Sequence, residues 1–386
     1  MRVWDAVKVL LTFDDPAADV DVSCYVRVGG VNRQRQIGGP TRAGTCDITF
    51  KNDERLFDPP WPGGTPGAFG WIRPGQRIQV FYDTAQVFDG HVDDWDHDWP
   101  VGGLPTATLQ ASDALARLAQ RKIGEWLPDW CQRIGPRLTD MLARPEVDWS
   151  GATDFDRGAI NLQGDFVEAD TNALTYAQLL ERTDGGRFFA AADNTLTYRG
   201  VNRATTPATV LSFTDDTSSG ICASRFVVDY GSDEWYTQIN VTRLGGDTQT
   251  ASSTSPVTDL HDGGYRPLDL DDLLMAVDSA AMNLAEYELS VYQEMVPTIS
   301  ELRCNLDAIA DADALLVAGL EFGDRIDAEW TPTGSGDPVA QTLAVEGLND
   351  AFTQSTWVRT LSLSRLIGLP SWVIGTSQIG TGVLGV

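Results

Sequence analysis

Apolar and polar residues alternate over much of the first hundred positions, and a period of two predicts strands. Val7, Val9 and Leu11 alternate with Lys8 and Leu10, and Val20, Val22 and Cys24 with Asp21 and Ser23. In 44–57 (GTCDITFKNDERLF), Cys46, Ile48 and Phe50 share one face. Ile78, Val80 and Tyr82 form a similar face, and Asp83–Thr84–Ala85 turns the chain into a return strand beginning at Val87. A further strand, 106–112 (TATLQAS), runs directly into a helix. Ser112 is its expected N-cap, and Leu115, Leu118 and Ala119 are its apolar stripe.

The pattern then changes. Residues 122–170 are irregular and aromatic, with helical turns expected from Pro136 to Leu142 because proline suits a first helical turn. The stretch 174–200 reads as helix, Gly-Gly stop, strand, Asp-Asn turn and strand. Beyond 211 strands return at 226–230 (FVVDY) and 237–246 (TQINVTRLGG). The longest helix is expected over 268–292. Leu270, Leu273, Leu274, Val277, Ala281 and Leu284 hold one face, and Asp269, Asp271 and Asp272 lie near its positive end. Strands around 298–306 and 323–330 flank a short helix near Ala312–Gly319, and 341–350 and 357–364 are the last β segments. The uncharged, Gly-rich stretch 371–386 is expected to be an extended arm that pairs with another subunit. No short-period repeat is present, which argues against a solenoid.

Composition narrows the function classes. The 386 residues include 28 Lys plus Arg against 55 Asp plus Glu, a formal charge of −27. Such an excess repels phosphate, so a sequence-reading nucleic-acid binder and an anionic-membrane binder are both disfavoured. A hydrophobic fraction of 42% marks a globular chain, and the length suggests two to four domains. No apolar run approaches the ~20 residues of a membrane span, and no membrane anchor is expected. The first residues (MRVWDAVKVLLTFDD) read as a strand, not a secretory signal. Five widely spaced cysteines without a CxxC pair are expected to be buried thiols in a reducing compartment.

Candidate chemistry is sparse. His91, His97 and His261 lie in no zinc-binding spacing, and neither a phosphate-loop nor a nucleophile-elbow motif occurs. Asp94, Asp96 and Asp98 would face one way on a strand, which makes them weak candidates for a cation site. A solvated acidic strand edge is the plainer reading, because no turning glycine or bidentate Glu stands where a calcium loop needs it. Asp269–Asp272 are explained by the helix end alone, and HDGG at 261–264 by a turn. Seven of twelve tryptophans fall between 61 and 149, and the proline-rich loop 57–75 carries Trp61, Phe69 and Trp71. These, with Trp95, Trp99, Trp372, Val373 and Ile374, are the candidate interface residues; rings in such positions serve a packed core, a gripped partner or a sugar platform. No catalytic residue and no cofactor is assigned.

The order of the pieces carries a resemblance. It begins with the run 44–59, where Phe50, Asn52, Phe57 and Pro59 stand out. The Pro74–Gly75 turn follows, then Phe88, Gly90 and Val92 before an acid-and-Trp strand end, and Ser112–Leu115 opening a helix. Together with 179–200, FGDRIDAEW, VEGLND, WVRTLSLS and SWVIG, this order resembles the tail-hub (baseplate hub) proteins of tailed bacteriophages. These are also called minor tail proteins and are frequent in phages of actinobacteria. The likeness runs over nearly the whole chain, and its strength lies in the order of segments. Gly264–Tyr265–Arg266 departs from the family's Tyr-Gly-Arg.

The resemblance implies a mainly β, multidomain chain with α+β insertions, in which two related β-barrel-like domains accompany an α+β domain. The corresponding division is a first barrel-like domain over 1–111 and an α+β domain over 112–210. A second barrel-like domain follows over 211–345, with C-terminal strands and arm over 346–386. It further implies a non-enzymatic virion protein at the tail tip, a ring-shaped homotrimer between the distal tail protein and further tail-tip or receptor-binding proteins. Such a ring meets the tail tube, surrounds the end of the tape-measure protein and lets DNA pass without binding it specifically. The competing expectations are a carbohydrate- or receptor-binding tip module that uses Trp61, Trp71, Trp95 and Trp99, and a cell-wall glycosidase with acid pairs in 93–98 or 129–170.

Overall fold

The computed structural model describes residues 6–14, 17–35, 39–59, 70–200, 210–216, 220–229, 235–253, 266–294, 296–332 and 337–365. The N-terminal strands are β1 (Val7–Asp14), β2 (Ala17–Asp21), β3 (Val26–Gln34), β4 (Thr45–Lys51), β5 (Arg77–Tyr82), β6 (Ala85–Asp98) and β7 (Thr106–Ser112). β1, β4, β5 and β7 are amphipathic with period two: Val9 and Leu11, Cys46, Ile48 and Phe50, Ile78 and Val80, and Ala107 and Leu109 are all buried. The β5–β6 hairpin closes on two residues, with Asp83 at φ 53°, a conformation that short polar side chains tolerate. The alternation expected as far as Cys24 stops at Asp21. There the Asp21 carboxylate accepts the amide of Ser23 at 3.0 Å, and residues 23–25 form a 3-10 turn that leaves Cys24 exposed.

The middle of the chain builds a smaller unit on α1 (Ala114–Ala119), β8 (Lys122–Ile123), α2 (Ile134–Leu142), β9 (Thr153–Phe155), β10 (Thr171–Asn172), α3 (Ala173–Asp184), β11 (Arg187–Ala190) and β12 (Leu196–Arg199). Asp113, not Ser112, caps α1: its carboxylate accepts the Leu115 amide at 2.9 Å, while Ser112 is still paired with Thr45 and His91 in the sheet. Asn172 caps α3 through the Thr175 amide, and left-handed Gly185 ends it. Leu115, Leu118, Leu138, Met141, Leu180 and Phe188 are among the residues of this unit's own core.

The last third comprises β13 (Leu211–Thr214), β14 (Ile221–Cys222), β15 (Arg225–Asp229), β16 (Gln238–Arg243), β17 (Gln249–Ser252), β18 (Pro267–Leu273), α4 (Asp278–Tyr292), β19 (Thr298–Asn305), α5 (Asp311–Ala318), β20 (Arg325–Trp330), β21 (Val339–Thr353) and β22 (Trp357–Arg365). The helix expected over 268–292 begins ten residues late. Residues 267–273 run instead as a strand parallel to β16, with Leu268 beside Ile239 and Leu270 beside Val241. Asp269, Asp271 and Asp272 therefore lie on that strand, and Asp278 alone supplies a carboxylate to the first turn of α4.

Fourteen strands form one sheet in the order β14-β13-β20-β21-β3-β4-β7-β6-β5-β1-β2, with β22, β19 and β15 branching from β21. Strand β21 is the junction: it pairs with β20, β22 and β3, so strands from both ends of the chain share one core. Opposite Gly29 on β3 stands Phe352, whose ring fills the space of a side chain; a Cβ there would lie 2.3 Å from it. The molecule is mainly β, and among the described residues the strand path closes no barrel.

Candidate interface

The β6–β7 hairpin sorts the candidate residues onto two faces. A register shift between Val92 and Asp94 reverses the alternation of β6, so Trp95 stands beside buried Leu109 while Asp94, Asp96 and Asp98 pair with Gln110, Thr108 and Thr106. Trp95 is thereby a core-packed ring, 5.9 Å from Phe57 and 6.1 Å from Phe50. The three aspartates are exposed. Asp94 accepts the neighbouring Trp95 amide at 2.8 Å, and Asp96 accepts from Gln110 Nε2 at 3.1 Å. Among the described residues no group of three or more His, Cys, Asp or Glu side chains converges as metal ligands would.

At the hairpin's end the chain is apolar and open to solvent. Trp99, 47% exposed, stacks on His97 at 5.1 Å, and the His97 ring is held by the Phe57 carbonyl at 2.7 Å. Val101 and Leu104 stand out beside it, and Gly102 makes the turn at φ 77°. Trp71 is half-buried, with its carbonyl accepting from Gln76. Trp61, Phe69, Trp372, Val373 and Ile374 lie outside the described residues, as does His261. Val101 and Leu104, and on the smaller unit the exposed Leu127, Trp130 and Phe166, are not among the residues the sequence singles out. The flanking Gly-Gly and Pro pairs were the only signal for the first.

Next to the aspartate row the outward positions continue as Thr106, Thr108 and Gln110 on β7 and Lys51, Thr49 and Asp47 on β4. With Asp47, Asp94, Asp96 and Asp98 against Lys51, the charge of this face is acidic. Towards the other end of the strand order a groove of about 400 Å³ lies over β13, β20 and β21, with Ser212, Thr214, Asp327, Glu329 and Thr342 among its walls.

Buried charge joins the smaller unit to the sheet. Arg33 on β3 binds Glu321 through both terminal nitrogens, at 3.1 and 2.6 Å, and donates to the Ala190 carbonyl at 2.8 Å. Glu346 on β21 takes Arg187 from β11, Arg35 at 3.3 Å and the Ser364 hydroxyl at 2.7 Å. Burial alone would raise its pKa, but Arg187 and Arg35 more than reverse this and hold it at about 2. For Glu181 on α3 burial wins and pushes it up to about 7, against Arg35 at 3.4 Å, the amides of Phe188 and Thr41, and the Thr41 hydroxyl. Glu288 on α4 rises to about 7 for the same reason, against Arg35 alone. Buried Asp113 rises to about 6 despite the amides of Gly44 and Leu115 and the charge of Arg33. Asp113, Glu181, Glu321 and Glu346 are each tied up in joining elements, which gives them a structural duty.

No family model and no curated protein matches the sequence. Solved structures do. A tail protein from Neisseria meningitidis MC58 superposes over 93% of this chain and 96% of its own, with a TM-score of 0.62 at 13% identity. The chain has the fold of this tail protein. The 43 kDa tail protein of prophage MuSo2 from Shewanella oneidensis gives 0.59 at 14% identity, over 93% of this chain and 98% of its own. Prophage tail protein gp18 from Listeria monocytogenes EGD-e gives 0.53 at 11%, over 92% and 94%. The tail-protein fold thus spans the sheet, the smaller unit and the α4 layer together.

Proposed function

We propose that the protein is a structural virion protein, the trimeric hub at the distal end of a phage tail. The observation that carries this reading is the near end-to-end correspondence with tail proteins, 93% of this chain against 96% and 98% of two of them. A fold retained at 13–14% identity points to a shared architecture. In this reading three copies form a ring between the distal tail protein and the tip proteins, on the axis of the tail tube and around the end of the tape-measure protein. The ring encloses the channel for DNA. An acidic wall repels phosphate where a basic one would hold it, so part of the −27 excess faces the lumen. The aspartate row on β6 belongs to that excess, and the apolar hairpin end with Trp99 is an interface element. Static light scattering on the purified chain tests the assembly: a mass three times the 42.0 kDa protomer supports it, and a monomer at micromolar concentration opposes it.

A further inference from the structure

Two stretches of the smaller unit, 124–131 and 162–168, run side by side as an irregular ribbon. Trp126 and Val167 exchange both backbone hydrogen bonds, at 3.1 and 2.9 Å. Further along, Cys131 donates to the Leu162 carbonyl at 2.9 Å, the same number of positions away on each stretch. One antiparallel register therefore holds throughout, and it sets Leu127 opposite Phe166 and Glu125 opposite Glu168. The inner side of the ribbon belongs to the core: Leu162 and Val167 are buried, and Trp126 packs edge-on against Tyr176 at 6.0 Å.

The outer side is apolar as well. Leu127 is 73%, Trp130 61% and Phe166 56% exposed. The Trp130 ring reaches Gly164, 3.5 Å from where a Cβ would stand, which brings it to the strand that carries Phe166. Three large apolar side chains grouped in the open mark a surface that another molecule covers.

Charge selects the occupant. The ribbon carries Glu125, Asp129, Asp165 and Glu168 and no Lys or Arg. Asp165 is answered by buried Arg137 at 2.8 Å, while Glu125, Asp129 and Glu168 are exposed. Like charges directly opposite one another, as Glu125 and Glu168 are, cost stability until a cation stands between them. A second copy supplies none. Its Trp99, Val101 and Leu104 follow Asp94, Asp96 and Asp98 on one hairpin, so acid would face acid.

We infer that this outer face docks a segment of a different protein, an aliphatic or aromatic anchor flanked on both sides by Lys or Arg. The anchor sits among Leu127, Trp130 and Phe166, and the flanking cations meet Glu125 and Glu168 at one end and Asp129 at the other. The surface is a property of the single chain and does not depend on the tail reading.

The test uses the full chain and two fluorescein-labelled synthetic peptides. One carries Leu-Trp-Leu between pairs of basic residues; in the other each basic residue is Glu. Fluorescence anisotropy at about 0.15 M ionic strength is expected to show binding of the basic peptide alone. Leu127→Ser with Phe166→Ser, and separately Glu125→Gln with Glu168→Gln, are each expected to weaken it at least about tenfold. The melting temperature is expected to hold in both, since these side chains face solvent. No binding of the basic peptide, or equal binding to the natural chain and the charge variant, overturns the inference. So does a self-associated mass in light scattering that Trp130→Ser lowers, which would make a second copy the occupant.

Discussion

Asp350 and Arg359 face each other across the β21–β22 ladder as a buried two-point ion pair, Nε to Oδ1 at 2.8 Å and Nη2 to Oδ2 at 2.7 Å. The same guanidinium donates to the carbonyls of Val317 and Ala318 at the end of α5, and Trp357 Nε1 donates to Asp350 at 2.7 Å. One pair thus ties two strands to a helix terminus and orients a buried tryptophan. Removing one partner leaves an uncompensated charge in the core. Asp350→Ala is expected to lower the unfolding free energy by about 3–5 kcal/mol in urea titration. The paired change Asp350→Leu with Arg359→Met is expected to recover most of it. A single-variant loss below about 1 kcal/mol contradicts this picture.

The buried carboxylates set a pH dependence with two limbs. Glu346 is held at about 2 against an ordinary 4.5, so its contribution is present above 4.5 and lost as pH falls through about 2. Glu181 and Glu288 sit at about 7, and Asp113 at about 6. Their contributions are full below their ordinary values, 4.5 for the glutamates and 3.8 for the aspartate, and are lost as pH rises through the folded values. Urea midpoints are therefore expected to peak near about pH 4–5 and decline towards 7. Glu181→Gln flattens that decline. A midpoint that rises steadily from pH 4.5 to 7, in both proteins, contradicts the assignment.

Two tryptophans four residues apart are expected to behave oppositely. Trp95→Ala removes a ring stacked in the core and should cost about 3–5 kcal/mol. Trp99→Ser at the hairpin end should change stability by about 0.5 kcal/mol or less, while weakening self-association seen in light scattering. Equal losses of stability in the two variants would contradict the placement of Trp99 beyond the end of β6 and outside the core.

The aspartate row gives a clear cation test. Alternate positions on a strand place Asp94, Asp96 and Asp98 side by side along a face instead of around a point. Melting temperature is expected to be the same in EDTA and in millimolar calcium. A rise in calcium that Asp96→Asn abolishes would establish a site there.

Much of the β framework was legible because burial follows local alternation: Cys46, Ile48 and Phe50 fall on one face in sequence and in space. The α3–β11–β12 segment was legible for a related reason, since Asn172, Gly185 and the turn at 191–194 are local signals. Residues 267–273 were misread because leucines spaced to suit a helix also suit a strand, and the partner that decides between them, β16, lies about thirty residues away. The joining charges were hidden for the same reason on a larger scale: Arg33 meets Glu321 across 288 positions, and Arg187 meets Glu346 across 159. Trp95 faces inward because of the register shift at 92–94, and Trp99 is exposed because β6 ends at Asp98; no composition reveals either.

Gold-labelled antibody against this chain, applied to intact phage particles, locates the protein in the virion. Electron micrographs are predicted to show label at the tail end distal to the head. Label along the tube, at the head or on no part of the particle would contradict the hub assignment.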